Sequence, residues 1–396
     1  MERLWTNSFI GLTLTLFLLC FGFYLLLPTL PLHLRESGID ESRLGLLVGA
    51  FTLTAVVVRP AIGGLADRFG RRVFILTGLI LFAIAMILYN WASGIVWLLL
   101  LRILHGGGWA LSTTSIGTSI TDVIPVRRRS EGMGWYGLSM SVSMAIGPIV
   151  GVWMVQSYSF RHLTVLAFGL SIASLLTALA TRIPSVRSDS GHKAVFFEKT
   201  VLPISAAIFF MALTYGGITT FLPLFAESIK FNSGTFFLVY AVALTLARPV
   251  AGKLADRYGE GRIMVPSFLL AILGLLVLSL SDGRAGAMVS AALYGIGFGS
   301  AQPALQAATL GLVSPKRRGV ANASFFTAMD LGIGLGSMLL GFVSRLWGYP
   351  VLFAACAASG CLALIIFAGF VKPTLRRGKE DSGKEVHSSS EGGVQP

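Results

Sequence analysis

Charge is what this chain most lacks. Asp, Glu, Lys and Arg together make up 12% of its 396 residues, against about 25% in an ordinary soluble domain. With 54% hydrophobic residues and a mean hydropathy of +0.77, too little charge remains to cover a globular surface in water. A soluble enzyme and a disordered chain are both excluded. Cysteine is just as sparse: Cys20, Cys356 and Cys361 all fall in apolar runs, form no disulfide scaffold and show no zinc spacing, and read as reduced core residues. The five histidines (33, 105, 162, 192 and 387) are scattered, so neither a metal cluster nor a catalytic triad is expected. No G-x-x-x-x-G-K-[ST] loop is present, which leaves ATP-driven transport without support.

What the chain has instead is long apolar runs. A bilayer-spanning helix needs about 20 mostly apolar residues, and twelve such runs lie near 8–34, 42–65, 73–92, 95–121, 131–157, 162–181, 201–226, 233–255, 263–281, 285–312, 319–345 and 349–371. The first is too long for a signal peptide, lacks a small-residue cleavage site and carries Pro28 and Pro31. The reading is an all-α membrane protein of two six-helix bundles: 1–181, a cytoplasmic linker at 182–200, then 201–372, with a polar tail at 373–396 expected to be disordered.

The formal charge of +13 would suggest nucleic acid in a soluble protein. Here it sorts by side. With the N-terminus inside and the spans alternating, 22 of the 31 Lys and Arg fall in cytoplasmic segments and six in the opposite loops, as the positive-inside rule requires. Both termini are then cytoplasmic, and no nucleic-acid partner is needed. Arg59, Arg102 and Arg248 are left inside spans.

An offset of 189 places RPAIGGLADRFG (59–70) over RPVAGKLADRYG (248–259), identical at eight of twelve positions. A nearby offset sets Pro125-Val126-Arg127-Arg128 over Pro315-Lys316-Arg317-Arg318. The copies occupy the same loop of each bundle, so the halves are parallel repeats about an axis along the membrane normal. That plan places a solute site between halves that rock against each other.

The residues from Gly63 to Arg72 (GGLADRFGRR) resemble the G-x-L-a-D-r-x-G-r-k/r signature of the major facilitator superfamily. Arg102 to Ala110 is similar to its span-4 motif, with His105 where Gln is usual. Ser143 to Val152, containing Gly147, Pro148 and Gly151, is similar to the span-5 antiporter motif, with Ser143 and Val152 in place of its first and last Gly. Together these resemble the twelve-span drug:proton antiporter branch, and the resemblance covers all but the tail.

The resemblance implies a conformational latch of Asp67, Arg68, Arg71, Asp122, Asp256 and Arg257. In it Asp67 would cap the helix starting near Arg318, where a carboxylate is stabilised by free N–H groups, and Arg71 would pair with Asp122. The second copy departs from the pattern: Leu312 stands in the place of Asp122 and Glu260 in that of Arg71. The alternative is that these charges only set loop geometry. Gly147, Pro148 and Gly151 would kink span 5, since proline removes an N–H and small neighbours admit a close helix; the equivalent Gly336-Ser337 lacks the proline.

For proton coupling the candidates are Asp330, Arg102, His105 and Glu227. Asp330 is the one acid near the middle of a span, where it can exchange protons or bond across the packing stripe of Gly334, Ser337 and Gly341. Arg102 needs an acceptor within the membrane and is either coupled to proton or solute or bonded to backbone carbonyls. His105 is one turn away, a relay or a packing residue. Glu227 follows Leu222-Pro223-Leu224 as Glu36 follows Leu30-Pro31-Leu32, a proton carrier or an interfacial acid. Arg59 and Arg248 read as snorkelling to the cytoplasmic surface. The resemblance places the cavity between spans 1, 4, 7 and 10, with Tyr24, Trp109, Ser112, Tyr215, Gln302 and Gln306 as its polar or aromatic lining.

The expectation is a bacterial inner-membrane, multi-pass transporter that exports a small organic, amphiphilic solute, in multidrug fashion, in exchange for protons. It would be a monomer in contact with lipid, using no cofactor, no metal and no catalytic residue. The rivals are an importer of a sugar or carboxylate with the same fold, and a lipid-handling membrane protein. No acid lies deep in span 1, which weakens a specific expectation of cationic drugs.

Overall fold

The computed structural model describes residues 3–125, 128–183, 198–258, 260–313 and 317–375. For some residues within helices, among them Asp67, Arg68, Asp256 and Arg257, only the backbone is described. Helices account for nearly all of it, as a bilayer demands: without water, each backbone N–H and C=O must be satisfied within its own segment.

The N-terminal half holds α1 (Asn7–Glu36), α2 (Glu41–Phe69), α3 (Arg71–Leu88), α4 (Ile95–Val123), α5 (Arg129–Ser157) and α6 (Phe160–Ala180). The C-terminal half holds α7 (Leu202–Ser228), α8 (Ser233–Tyr258), α9 (Glu260–Ser279), α10 (Arg284–Gly311) and α11 (Arg318–Ile366). The 49 residues of α11 are two crossings. Gly348, at φ 78°, takes a conformation open chiefly to glycine, and the chain turns back there, with Pro350 behind it. Counting both arms of α11, the described residues form twelve rods. Ten stretches are long and apolar enough to cross a membrane, one of them containing both arms. The Gly-, Ala- and Ser-rich α10 is not among them, and it is packed between α8 and α9.

Short polar residues start the helices. Thr6 accepts the Phe9 N–H at 3.2 Å, and Asp40 accepts that of Arg43 at 3.0 Å, each satisfying an otherwise orphaned donor. Gly70, at φ 94°, separates α2 from α3. The end of the bundle where α1 starts is the proximal end, and the opposite one is distal.

The repeat holds at the level of helix contacts. Gly106 on α4 abuts the Phe51 carbonyl of α2, and 189 residues later Gly295 on α10 abuts the Tyr240 carbonyl of α8. Gly108 meets Gly78 and Phe82, as Gly297 meets Ser267 and Ala271. Gly147 of α5 lies on Tyr24 of α1, as Gly336 of α11 lies on Leu213 of α7. Backbones approach this closely only where a side chain is missing.

The outer surface is apolar and carries a further signature. Six of the seven tryptophans (5, 91, 97, 135, 153 and 347) are exposed, and all six lie towards the helix ends, where indoles anchor at the lipid–water boundary. The seventh, Trp109, is buried at the centre. Cys20 and Cys356 are buried, whereas Cys361 is exposed on the outer face of α11. The core reading of Cys361 is thereby corrected: lipid accepts an apolar thiol as readily as a protein core does.

Candidate functional site: the seam between the halves

The halves meet most closely along α2 and α11. At the distal end Gly45 packs on Ser337 and Met338, Gly49 on Met338, and Gly334 on Thr52. Further in, Arg59 of α2 forms an ion pair with Asp330 of α11, both side chains largely buried (13% and 15% exposed). Asp330 lies about 18 Å along α11 from its proximal start. The helix α2 runs on for ten residues past Arg59, about 15 Å, so Arg59 does not snorkel to the surface. The sequence reading of Arg59 is corrected: it spends its charge on the one mid-span carboxylate.

Other groups converge on this pair. Trp109 of α4 is within hydrogen-bonding reach of the Asp330 carboxylate. Cys20 and Tyr24 of α1 and Tyr136 of α5 lie within its electrostatic range. Nearby, Gln306 of α10 donates to Asn322 at 3.0 Å and packs against Gly137 of α5.

Arg102 lies elsewhere, in the N-terminal half. Its Nε donates to the Leu47 carbonyl at 3.0 Å and its Nη1 to the Tyr89 hydroxyl at 3.4 Å, while its guanidinium sits 5.1 Å from the centre of the Phe51 ring. Tyr89 lies 3.2 Å from His105 Nδ1. His105 is fully buried among Phe23, Phe51, Phe82 and Tyr89, and its Nε2 has no partner. A backbone carbonyl, a phenol and a ring face therefore hold the charge of Arg102, tying α2, α3 and α4 together.

The C-terminal half has tyrosines in the matching places. Tyr240 and Tyr294 stand where Phe51 and His105 stand, and Phe298 replaces Trp109. Tyr215 stacks on Phe298 at 5.2 Å and Tyr240 on Tyr294 at 5.9 Å. Gln302 accepts from Arg248 Nη2 at 3.4 Å.

Ion pairs between helices stand at both ends. Proximally, Arg71 pairs with Asp122 and donates to the Thr118 carbonyl, linking α3 to α4. Asp67, Arg68, Asp256 and Arg257 lie outside the described side chains. Distally, Arg35 of α1 reaches Glu227 of α7 at 3.4 Å and the Leu224 carbonyl at 3.3 Å. Glu227 is 62% exposed and lies at the distal end of α7. Tyr24, Trp109, Tyr215 and Gln302 are buried near the seam. Ser112 packs on Gly78 of α3. Gly147 and Gly151 meet Tyr24 and Leu25 of α1, with Pro148 inside a continuous α5. Among the described residues no three His, Cys, Asp or Glu are grouped to hold a metal.

The pairing of Arg59 with Asp330 is the feature that sequence reasoning missed. Its signal was available, because the lone mid-span acid needs a base and Arg59 is an in-span arginine on a helix of the opposite half.

A family model described as Major Facilitator Superfamily matches residues 12–278 and 204–392. The chain is 30% identical over 370 residues to the staphylopine export protein of Staphylococcus aureus, covering 88% of this chain and 91% of that protein. It is 24% identical to an uncharacterized MFS-type transporter of Methanocaldococcus jannaschii, covering 88% and 94%. Among solved structures it resembles a D323A mutant of the nucleoside transporter NupG (TM-score 0.72, 17% identity, 92% of this chain and all of that one). It also resembles the human organic anion transporter MFSD10 (TM-score 0.68, 16% identity, 91% and 98%). These two likenesses show the fold. With its twelve-rod architecture, its parallel repeat and the family match over most of its length, the chain belongs to the Major Facilitator Superfamily and is a transporter, not an enzyme.

Proposed function

We propose that this transporter exports a small organic, amphiphilic solute in exchange for protons, by rocker-switch alternating access. Its proximal face is the cytoplasmic side of a bacterial cell membrane. The observation that carries this reading is the Arg59–Asp330 pair, a buried charge pair that joins the two halves near mid-membrane. Opening the distal side requires α2 and α11 to part, and breaking a buried pair costs about 3–5 kcal/mol if one charge is left uncompensated. A proton on Asp330 removes its attraction for Arg59 and spares the carboxylate its share of that cost, and water entering the opening seam solvates the Arg59 guanidinium. Closing the distal side returns Arg59 to Asp330 and expels the proton on the cytoplasmic side. The export name of the Staphylococcus aureus relative supports the direction.

The remaining groups take supporting roles. Arg35–Glu227 and the glycine seam of α2 and α11 hold the distal side shut. Arg71–Asp122, with Asp67, Arg68, Asp256 and Arg257, forms the proximal latch. Arg102 and His105 keep α2 and α4 in register beneath Trp109.

The test is transport in proteoliposomes under an imposed pH gradient, screening drugs, sugars, lipids and siderophore-like chelates, with staphylopine among the probes. The expected result is gradient-driven accumulation that Asp330→Asn abolishes while solute exchange at equal pH survives. Full gradient-driven flux in Asp330→Asn overturns the reading, and loss confined to Glu227→Gln moves the proton site to α7.

A further inference from the structure

Among the described residues, the arginine that is neutralised in one half has no counter-charge in the other. Arg248 of α8 is the repeat equivalent of Arg59. The equivalent of Asp330 on α5 is Ser141, which carries no charge. Arg248 makes one hydrogen bond, the 3.4 Å contact to Gln302, and its Nε is buried without a partner. Among the described residues no carboxylate pairs with it. Arg248 is partly exposed, yet α8 continues ten residues beyond it to Tyr258, about 15 Å, so that exposure lies within the span and not at its end. A fixed charge at that depth is paired or faces a water-filled cavity, and the described protein groups offer it the neutral Gln302 carboxamide and no counter-charge.

Its surroundings on the C-terminal half are polar in a way that the N-terminal half is not. Tyr240 lies within electrostatic reach of Arg248, and its hydroxyl and that of Tyr215 are both buried without partners. The repeat equivalents of these two residues are Phe51 and Leu26, so the hydroxyls have no counterpart across the seam. The Tyr215–Phe298 stack adds an apolar wall. A guanidinium with an open edge, two unpaired phenols and a carboxamide on an aromatic surface match an anionic head on an apolar body.

We propose that Arg248 is the charge that recognises the solute, and that the solute carries a carboxylate. A guanidinium offers parallel N–H donors that match a carboxylate's two oxygens, which a lysine does not reproduce. The inference rests on the reading of a solute site between the halves, and it narrows the amphiphilic class to anionic members.

The test uses the full chain in detergent and in proteoliposomes, with a panel of N-acetyl aryl amino acids, each as the carboxylate and as the primary amide. Binding at neutral pH is read by thermal stabilisation and by equilibrium titration. The wild type is expected to bind the carboxylates at least about tenfold more tightly than the amides. Arg248→Gln is expected to erase that ratio. Arg248→Lys keeps the charge and is expected to retain the preference with weaker binding, so a Gln variant that does not fold leaves the test intact. Equal binding of acid and amide, no carboxylate bound by the wild type, or a preference unchanged in Arg248→Gln overturns the proposal. Gradient-driven flux in Asp330→Asn is read alongside. A carboxylate preference that coexists with full flux in that variant overturns proton coupling alone, and the reverse pattern overturns anion recognition alone.

Discussion

The two halves are built on one plan and diverge where charge enters the membrane. The same Arg-Pro pair ends the apolar part of α2 and of α8, and the same glycines bring α2 onto α4 and α8 onto α10. Yet Arg59 finds Asp330 across the seam, while among the described residues Arg248 finds only Gln302. The N-terminal half in turn buries Arg102 and His105 where the C-terminal half has Ala291 and Tyr294. Helix packing tolerates little variation, because backbones in contact leave no room for a side chain. Charge at equivalent positions is free to differ, and it is there that two similar halves can acquire different tasks.

The largest expected effect breaks this contrast at its centre. Arg59→Ala and Asp330→Ala should each destabilise by about 3–5 kcal/mol, because each strands a charge, while the double variant should lose much less than the sum. Chemical or thermal denaturation in detergent reads the cycle, and strict additivity would show that the pair does not join the halves energetically.

Next comes the charge that belongs to one half alone. Arg102→Met removes a guanidinium bound to a carbonyl and a phenol and is expected to cost about 2–4 kcal/mol, with the pH dependence of transport unchanged. A shifted pH profile with normal stability would instead put Arg102 in the coupling path.

The shared packing can be probed in both halves together. Gly106→Ala and Gly295→Ala place a methyl on the Phe51 and Tyr240 carbonyls, and each should cost roughly 1–3 kcal/mol. Gly107→Ala, with nothing within 4 Å of the added carbon, should be neutral or stabilising by up to about 1 kcal/mol. Unequal effects at 106 and 295 would show that the halves are less alike than their contacts.

The entry into each half differs in pH response. The Thr6 hydroxyl caps α1, whereas α7 is preceded by buried Glu198, which takes the Thr200 hydroxyl at 2.8 Å and Arg317 at 2.9 Å and anchors its own N–H on Ser324. The Thr200 hydroxyl above all, opposed by burial and helped by the Thr200 N–H and Arg317, holds the Glu198 carboxyl below its usual 4.5. Its stabilisation is therefore complete above about pH 4.5 and is lost as pH falls through the lower folded value. Thermal melts across that acid range should be flatter in Glu198→Gln than in the wild type. Smallest of all, Glu227→Gln removes an exposed distal pair and should change stability by less than about 1 kcal/mol, an effect that added salt should erase.

Read from the sequence alone, the fold was largely legible. Apolar runs placed the spans within a few residues of the observed helices, because a bilayer forces length and hydrophobicity on every crossing. The 189-residue offset then set the two halves as parallel repeats. The mid-span position of Asp330 was legible too, as an exception to the avoidance of charge.

Its partner was decided only in three dimensions. Arg59 and Asp330 are 271 residues apart, and helical periodicity says which residues share a face without saying which helix that face meets. Ser112 turned to α3, Arg102 to a carbonyl and Glu227 to the exposed distal edge for the same reason. The scarcity of charge made every in-span charge conspicuous; the packing of the halves determined which were neutralised and, among the described residues, left Arg248 without a carboxylate.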